Sequence, residues 1–416
     1  MTSVTAPAGQ TRALLGLRDF RLFLVSRFLS TFAIMVQSVA VGWHVYALTR
    51  DPLALGYVGL AQFLPMAALV LPAGSLADHM QRRLILIVSY IAQAGSAAIL
   101  VGLVMANVSA VWPYYVALVL FGTARAYAFP AVQAFLPQLV PKEQLATAVA
   151  LSSSVFQTAV IAGPALGGAL YVTGASATFV AGLVLFLGVA ATYAVISVRT
   201  KPQPFDSEAG TFARFAAGIA YMRRKPVIFG AISLDLFAVL LGGATALLPI
   251  YADDILRVGP TGLGLLRSAP AVGATTCALI LAYRPLGGRT GVIMLFCVAV
   301  FGAATIVFGL SKNFALSLAA LVVIGATDMI SIYVRNTLVQ LATPDHMRGR
   351  VSAVNMVFIG ASNELGEFRA GVMASWLGTV AAVVIGGLGT VMVVALWGYL
   401  FPDLRRVDRL ADVKPD

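Results

Sequence analysis

A chain of 416 residues that is 60% hydrophobic and 11% charged has too little charge for a soluble globular domain, where about a quarter of residues are charged. Its net charge of +11 is scattered through short segments between apolar runs, with no basic patch interleaved with base-stacking aromatics, so nucleic acid is not the partner. The two cysteines, Cys277 and Cys297, lie in apolar runs and read as small core hydrophobes, and His44, His79 and His346 share no metal-ligand spacing.

From the N-terminus, Met1–Gly16 has no apolar core ahead of a cleavage site, so the first apolar run is expected to remain as a span. Crossing a bilayer takes about 20 apolar residues. Twelve runs qualify: 20–48, 53–77, 84–105, 112–136, 145–172, 177–197, 227–251, 262–282, 291–310, 315–341, 351–374 and 379–401. The expected fold is an all-α polytopic membrane protein, with twelve transmembrane helices in two pseudo-symmetric six-helix bundles. The bundles are residues 1–197 and 226–416, and the latter ends in a charged tail. Residues 198–225 form the one long polar connection. There Phe212, Phe215, Ala216, Ile219 and Met222 recur at helical spacing, with Arg214, Arg223 and Arg224 off that face, which predicts a short surface helix. Trp43 and Tyr46, flanking His44 near the end of the first span, read as an interfacial belt.

Cations orient the spans, because basic loops stay cytoplasmic. Twenty of the Lys and Arg residues fall on the side of Arg82, among them Arg83, Lys142, Lys201, Arg348, Arg350 and Arg405. Three, Arg50, Arg257 and Lys312, fall opposite, and Arg27, Arg125, Arg267, Arg335 and Arg369 fall inside spans. Both termini and the central loop are therefore expected in the cytoplasm. The halves also repeat: the run from Pro141 aligns with the run from Pro344, and in the same register Gly163 meets Gly366, Gly168 meets Gly371 and Arg125 meets Asp328. Parallel halves around a central site are a transporter architecture.

Between the second and third spans lies Gly74-Ser-Leu-Ala-Asp78-His-Met-Gln-Arg82-Arg83, read as a tight polar loop in which Gly74 permits close helix approach. The pattern Gly-x-x-x-Asp-x-x-x-Arg-Arg resembles the signature loop of the major facilitator superfamily, with departures at His79 and Gln81. Asp78 is expected to latch the start of the eleventh span near Arg348 and Arg350, as an anion at a helix N-terminus. In the fifth span, Gly163-Pro164-Ala165-Leu166-Gly167-Gly168 is a packing kink by composition. It also resembles the antiporter motif of that superfamily, which implies export.

Ionisable groups deep in a span are costly and usually functional. Here they are Arg125, Asp235, Asp328, Glu364, Glu367 and Arg369. Glu364 and Glu367, three apart, share a helix face and can share a proton. With Asp235 they are the candidates for proton coupling, and pairing of the glutamates with Arg369 is the structural alternative. Arg125, Asp328 and Asp235 are the candidates for the substrate cavity, with Arg125 and Asp328 expected to attract across it or to be neutralised each within its own half. Arg27, Arg335 and Arg267 are expected to snorkel to the surfaces.

Further stretches resemble one branch of that superfamily, the enterobactin-exporter-like transmembrane secretion effectors. They are Gln37–Pro52, Leu234-Asp235-Leu-Phe-Ala, Arg348-Gly-Arg350-Val-Ser-Ala and Asn363-Glu364-Leu-Gly-Glu367-Phe-Arg-Ala-Gly371. The resemblance covers nearly the whole chain. It implies a proton-driven exporter of a siderophore-like or amphipathic small molecule in a bacterial inner membrane. It also implies a cavity lined by spans 1, 4, 7 and 10, contact with membrane lipids, a monomer, and no cofactor or metal beyond the proton gradient. No Gly-x-x-x-x-Gly-Lys-Ser/Thr loop is present for ATP, and the dispersed histidines argue against an enzyme. The rival readings are a lipid or lysolipid flippase or facilitator, and a non-transporting membrane sensor.

Overall fold

The computed structural model describes residues 8–197, 211–284 and 286–408, and among these every regular element is helical. The bilayer core offers backbone groups no water, and a helix satisfies them within itself. A short α1 (Ala8–Gly16) precedes α2 (Arg18–Thr49), α3 (Pro52–His79), α4 (Arg82–Met105), α5 (Trp112–Phe135), α6 (Leu145–Tyr171) and α7 (Ala175–Val195). After the polar connection come α8 (Thr211–Arg223), α9 (Pro226–Gly242), α10 (Gly259–Tyr283), α11 (Thr290–Leu310), α12 (Phe314–Ala342), α13 (Asp345–Leu377), α14 (Thr379–Leu400) and α15 (Pro402–Arg406). Among the described residues, eleven helical stretches are long and apolar enough to cross a membrane. The twelfth crossing is α13, whose 33 residues suffice in length but which carries Arg348, Arg350, Glu364, Glu367 and Arg369. It falls short in hydropathy because it carries these charges.

Two sequence expectations are corrected. The seventh span is not one continuous helix: α9 ends at Gly242, and the chain resumes as short turns at Thr245–Leu247 and Leu248–Ile250 and a wider π-helical turn at Tyr251–Ile255. Gly242-Gly243, with no Cβ and high conformational entropy, is the weak point. The Gly74 "loop" is mostly helix, since α3 runs to His79. A Cβ at Gly74 would meet nothing within 4 Å, so the expected close approach is not made there.

The described chain divides into two compact units. One comprises Met1–His44 with Leu64–Asp206, the other Val45–Phe63 with Ser207–Asp416. The division cuts α2 after His44 and α3 after Phe63, so the hairpin around Arg50 belongs with the C-terminal helices.

In the first unit α4 packs on α5 and α7. Its core stacks Tyr90 on Tyr193 at 5.7 Å, with Phe135 edge-on to Tyr193 at 5.9 Å. The glycines of the fifth span form a crossing. A Cβ at Gly163 would lie 2.5 Å from Met35 Cβ, and one at Gly167 2.9 Å from Val36 Cα, so α6 meets α2 backbone to backbone; Pro164 and Gly168 are buried beside them. Arg82 and Arg83, at the start of α4, donate to carbonyls at the ends of two other helices. Arg82 reaches Ala134 of α5 at 2.9 Å, and Arg83 reaches Tyr193 of α7 at 2.9 Å and Ala194. Those C-terminal carbonyls lack helical partners and carry partial negative charge, which guanidinium groups satisfy. The basic pair that marks the cytoplasmic side by sequence thus also ties three helix ends together.

In the second unit α11 packs against α12 and α14, α10 against α12, and α9 against α13 and α14. The predicted surface helix exists as α8. A Cβ at its Gly218 would lie 2.9 Å from the Arg350 carbonyl, and Tyr221 Oη donates to Ala342 at 3.2 Å. Met222 joins Ile228, Ile232, Val339, Val351 and Val354 in one apolar cluster. Residues 198–210 of that connection lie outside the described residues, as do the side chains of Phe212, Arg214 and Phe215. Cys277 and Cys297 are free and buried, as their apolar setting implies. The exposed aromatics at helix ends are Trp112, Tyr283, Trp376 and Tyr399, each at least 68% exposed. This is where amphipathic rings meet headgroups. Tyr46, assigned to such a belt by sequence, is instead 4% exposed.

The α2–α6 crossing makes a direct prediction. Gly167→Val puts branched carbons where α2 backbone stands. It should cost about 1–3 kcal/mol by overpacking, read as a lower unfolding temperature of the purified chain in detergent, while Gly74→Val should be neutral.

Candidate functional site

Three charged clusters organise the second unit. The first is buried. Asp235 on α9 and Arg335 on α12 form an ion pair, at 6% and 1% exposure. The pair is ionic rather than a directed hydrogen bond, since Nη1 and Nε of Arg335 have no hydrogen-bond partner among the described residues. Arg335 therefore does not snorkel. It turns inward because desolvating a lone Asp235 would cost more than pairing it. Asp328, two turns earlier on α12, shares a small cleft with Asp235.

The second cluster is at α13. Glu364 and Glu367 both point at α3: a Cβ on Gly59 would lie 3.4 Å from Oε2 of Glu364 and 3.3 Å from Oε2 of Glu367. Two carboxylates thus converge on a surface that only glycine leaves open. The close approach is continued at Gly371, where a Cβ would lie 2.9 Å from Gly56 Cα, and at Gly366, 3.0 Å from the Val239 carbonyl of α9. The nearby cation is not Arg369. Arg369 reaches Met373 Sδ at 2.9 Å and leans toward Gly386 of α14, with no ion pair among the described residues. Instead Arg267 of α10, expected to snorkel, interacts electrostatically with Glu367.

The third cluster was not anticipated. At the α2–α3 turn Tyr46 donates to Asp254, and Arg50 pairs with Asp253 and, at 3.3 Å, with Asp254. Arg50 holds a left-handed φ of 51°, the usual conformation just past a helix C-terminus. The Asp253 hydrogen bond, first, and its charge push the Arg50 guanidinium further up its already basic range. Both acids sit in the π-helical turn, so the break after α9 is what presents them. The available signal was an Asp-Asp dipeptide just past a Gly-Gly break, opposite in side to most cations.

In the first unit Arg125 lies over the Phe121 ring at 5.8 Å, and Arg27 over Phe156 at 4.6 Å, each a cation–π contact rather than a snorkelling chain. His44 bridges two hydroxyls, Tyr171 at 3.0 Å from Nδ1 and Tyr114 at 3.2 Å from Nε2. Tyr114 donates to the Val108 carbonyl, so it accepts from Nε2–H, which leaves Nδ1 to accept from Tyr171. The side chains of Asp78, His79 and Arg348 lie outside the described residues. Arg350 is exposed, with Nη1 3.6 Å from Met347 Sδ. Among the described residues no group of three or more His, Cys, Asp or Glu could hold a metal ion.

Apolar spans with pairs of opposite charge buried between them define the class, a polytopic membrane transporter. The chain belongs to the transmembrane secretion effector family of the major facilitator superfamily, which it matches over residues 11–414. It is 26% identical to the enterobactin exporter EntS of Citrobacter koseri over 405 residues, covering 93% of this chain and 92% of that protein. In fold it is similar to a bacterial homologue of the iron transporter ferroportin solved inward-facing, with a TM-score of 0.70 at 17% identity over 94% and 99% of the two chains. A transporter of the POT family in complex with a thioalcohol-conjugated peptide gives a TM-score of 0.75 at 11% identity over 93% and 96%.

The buried pair is tested by a double-mutant cycle. Arg335→Met should strand Asp235 and destabilise the protein by about 3–5 kcal/mol, whereas Arg335→Met with Asp235→Leu should restore most of the loss. Unfolding in detergent, followed by intrinsic fluorescence, measures it; a double variant as unstable as the single would show that the two do not interact.

Proposed function

We propose that the chain is a proton-coupled exporter that moves a siderophore-like or other amphipathic small molecule out of the cytoplasm, with both termini on the cytoplasmic face of a bacterial inner membrane. The observation that carries the substrate class is its end-to-end similarity to an enterobactin exporter. The cation asymmetry supports the orientation, because basic loops resist translocation.

The convergence of Glu364 and Glu367 on Gly59 supports the coupling. The two carboxylates share one helix face beside the guanidinium of Arg267, and uptake of a proton by either changes the charge of the cluster. Gly59 makes this cluster sensitive to movement: any shift of α3 along α13 changes what covers the carboxylates. The coupling proton is thereby linked to the packing of α3 on α13, which is what an alternating carrier needs. Arg125 and Asp328, equivalent in the two halves, remain the candidate contacts for an amphipathic or zwitterionic substrate, with Asp235 held by Arg335 behind Asp328. The Arg50–Asp253–Asp254–Tyr46 cluster is a latch between the α2–α3 turn and the π-helical turn after α9.

The test is export of a catecholate siderophore from bacteria that synthesise it and lack their own exporter. The wild-type chain should restore secretion, and Glu364→Gln with Glu367→Gln should lower it at least tenfold at matched expression, about 1.4 kcal/mol in the coupled step. Secretion by the double variant at the wild-type rate, or wild-type secretion unaffected by collapsing the pH gradient, would contradict coupling through this pair.

A further inference from the structure

The cleft between α9, α11 and α12 holds more negative charge than its surroundings neutralise. It is a partly open cleft lined by Asp235, Asp328, Thr327 and Ser331 and by the apolar side chains Ala238, Val239, Val298 and Phe301, with room of about 10 Å³. That is the room of a single water-sized particle. Arg335 already balances Asp235, and Asp328 has no ion pair among the described residues. The other groups facing Asp328 in the cleft are hydroxyls. Thr327 Oγ1 donates to the Val323 carbonyl at 2.8 Å, which leaves its oxygen lone pairs free to face a cation. Ser331, 2% exposed and one turn from Asp328, has a buried Oγ with no hydrogen-bond partner. A buried hydroxyl left unpaired beside an uncompensated carboxylate costs free energy on both counts, unless something positive and small sits between them.

We propose that this cleft is a binding site for one monovalent cation, held by the carboxylate of Asp328 and the hydroxyls of Ser331 and Thr327, with the Asp235–Arg335 pair as its fixed neutral wall. Oxygen ligands of this kind suit a hard ion. Sodium supplies the single positive charge. The site is separate from the Glu364–Glu367 cluster but shares Asp328 with the proposed substrate contacts, and so deepens that reading of the cavity. Its test reads unfolding with no transported substrate present, so its failure and the failure of export are distinguishable.

The unfolding temperature of the purified full-length chain is measured in sodium, potassium and choline chloride at one ionic strength, because a ligand that binds the folded state raises it. If sodium is the occupant, it stabilises the wild type over choline, Asp328→Asn abolishes the shift, and Ser331→Ala requires about tenfold more sodium for the same shift. If sodium has no effect and the wild type shows the infrared band of a protonated carboxyl that Asp328→Asn lacks, Asp328 is a neutral acid and the site is overturned. It is also overturned if the sodium shift does not depend on Asp328, or if Ser331→Ala stabilises the chain without moving that shift, as filling an empty void would.

Discussion

Charge in a low-dielectric interior must be matched within reach, and most of what is particular in this chain follows from that. An uncompensated ion at mid-bilayer costs about 2.5–3.5 kcal/mol or more, so each buried acid or base needs a partner that packing holds in place. Asp235 and Arg335 lock α9 to α12, and Arg267 faces Glu367 across α10 and α13. Arg82 and Arg83 satisfy the same demand at helix ends, with backbone carbonyls as partners. Asp328, with no ion pair among the described residues, and the unpartnered Ser331 hydroxyl mark the place where something mobile can supply the missing charge.

Glycine decides where the helices come close enough for this. Gly163 and Gly167 seat α6 on α2, while Gly56 and Gly59 on α3 meet Gly371 and the two glutamates of α13. The second set lies beside ionisable groups, so a small displacement there changes an electrostatic environment as well as a packing one. Gly218 fits α8 against the Arg350 carbonyl in the same manner, which ties the central connection to the start of α13.

The spans were legible because hydropathy sums over about 20 residues and tolerates single exceptions. The shared face of Glu364 and Glu367 was legible because spacing of three is a local property of a helix. What escaped depended on partners far apart in sequence. Arg50 and Asp253 are separated by 203 positions, the offset of the internal repeat, but equivalence between halves predicts similar depth rather than contact, and nothing near Arg335 pointed to Asp235. Arg335 was assigned to the surface from its depth alone, although its guanidinium is among the largest fully buried groups. The break at Gly242-Gly243 was visible as a dipeptide, yet the apolar residues on both sides masked it. His44, flanked by aromatics and read as part of a belt, is instead a hydrogen-bonded bridge between helices whose partners only the fold supplies.

The central claim is that this single chain, without ATP, uses a proton gradient to move an amphipathic small molecule. The most direct measurement reconstitutes the purified protein in liposomes, imposes a pH gradient with the acidic side inside, and follows accumulation of a radiolabelled catecholate siderophore. Accumulation above the external concentration that collapses when a protonophore is added is the predicted result. Equilibration to the external concentration and no further, indifferent to the gradient, would contradict it.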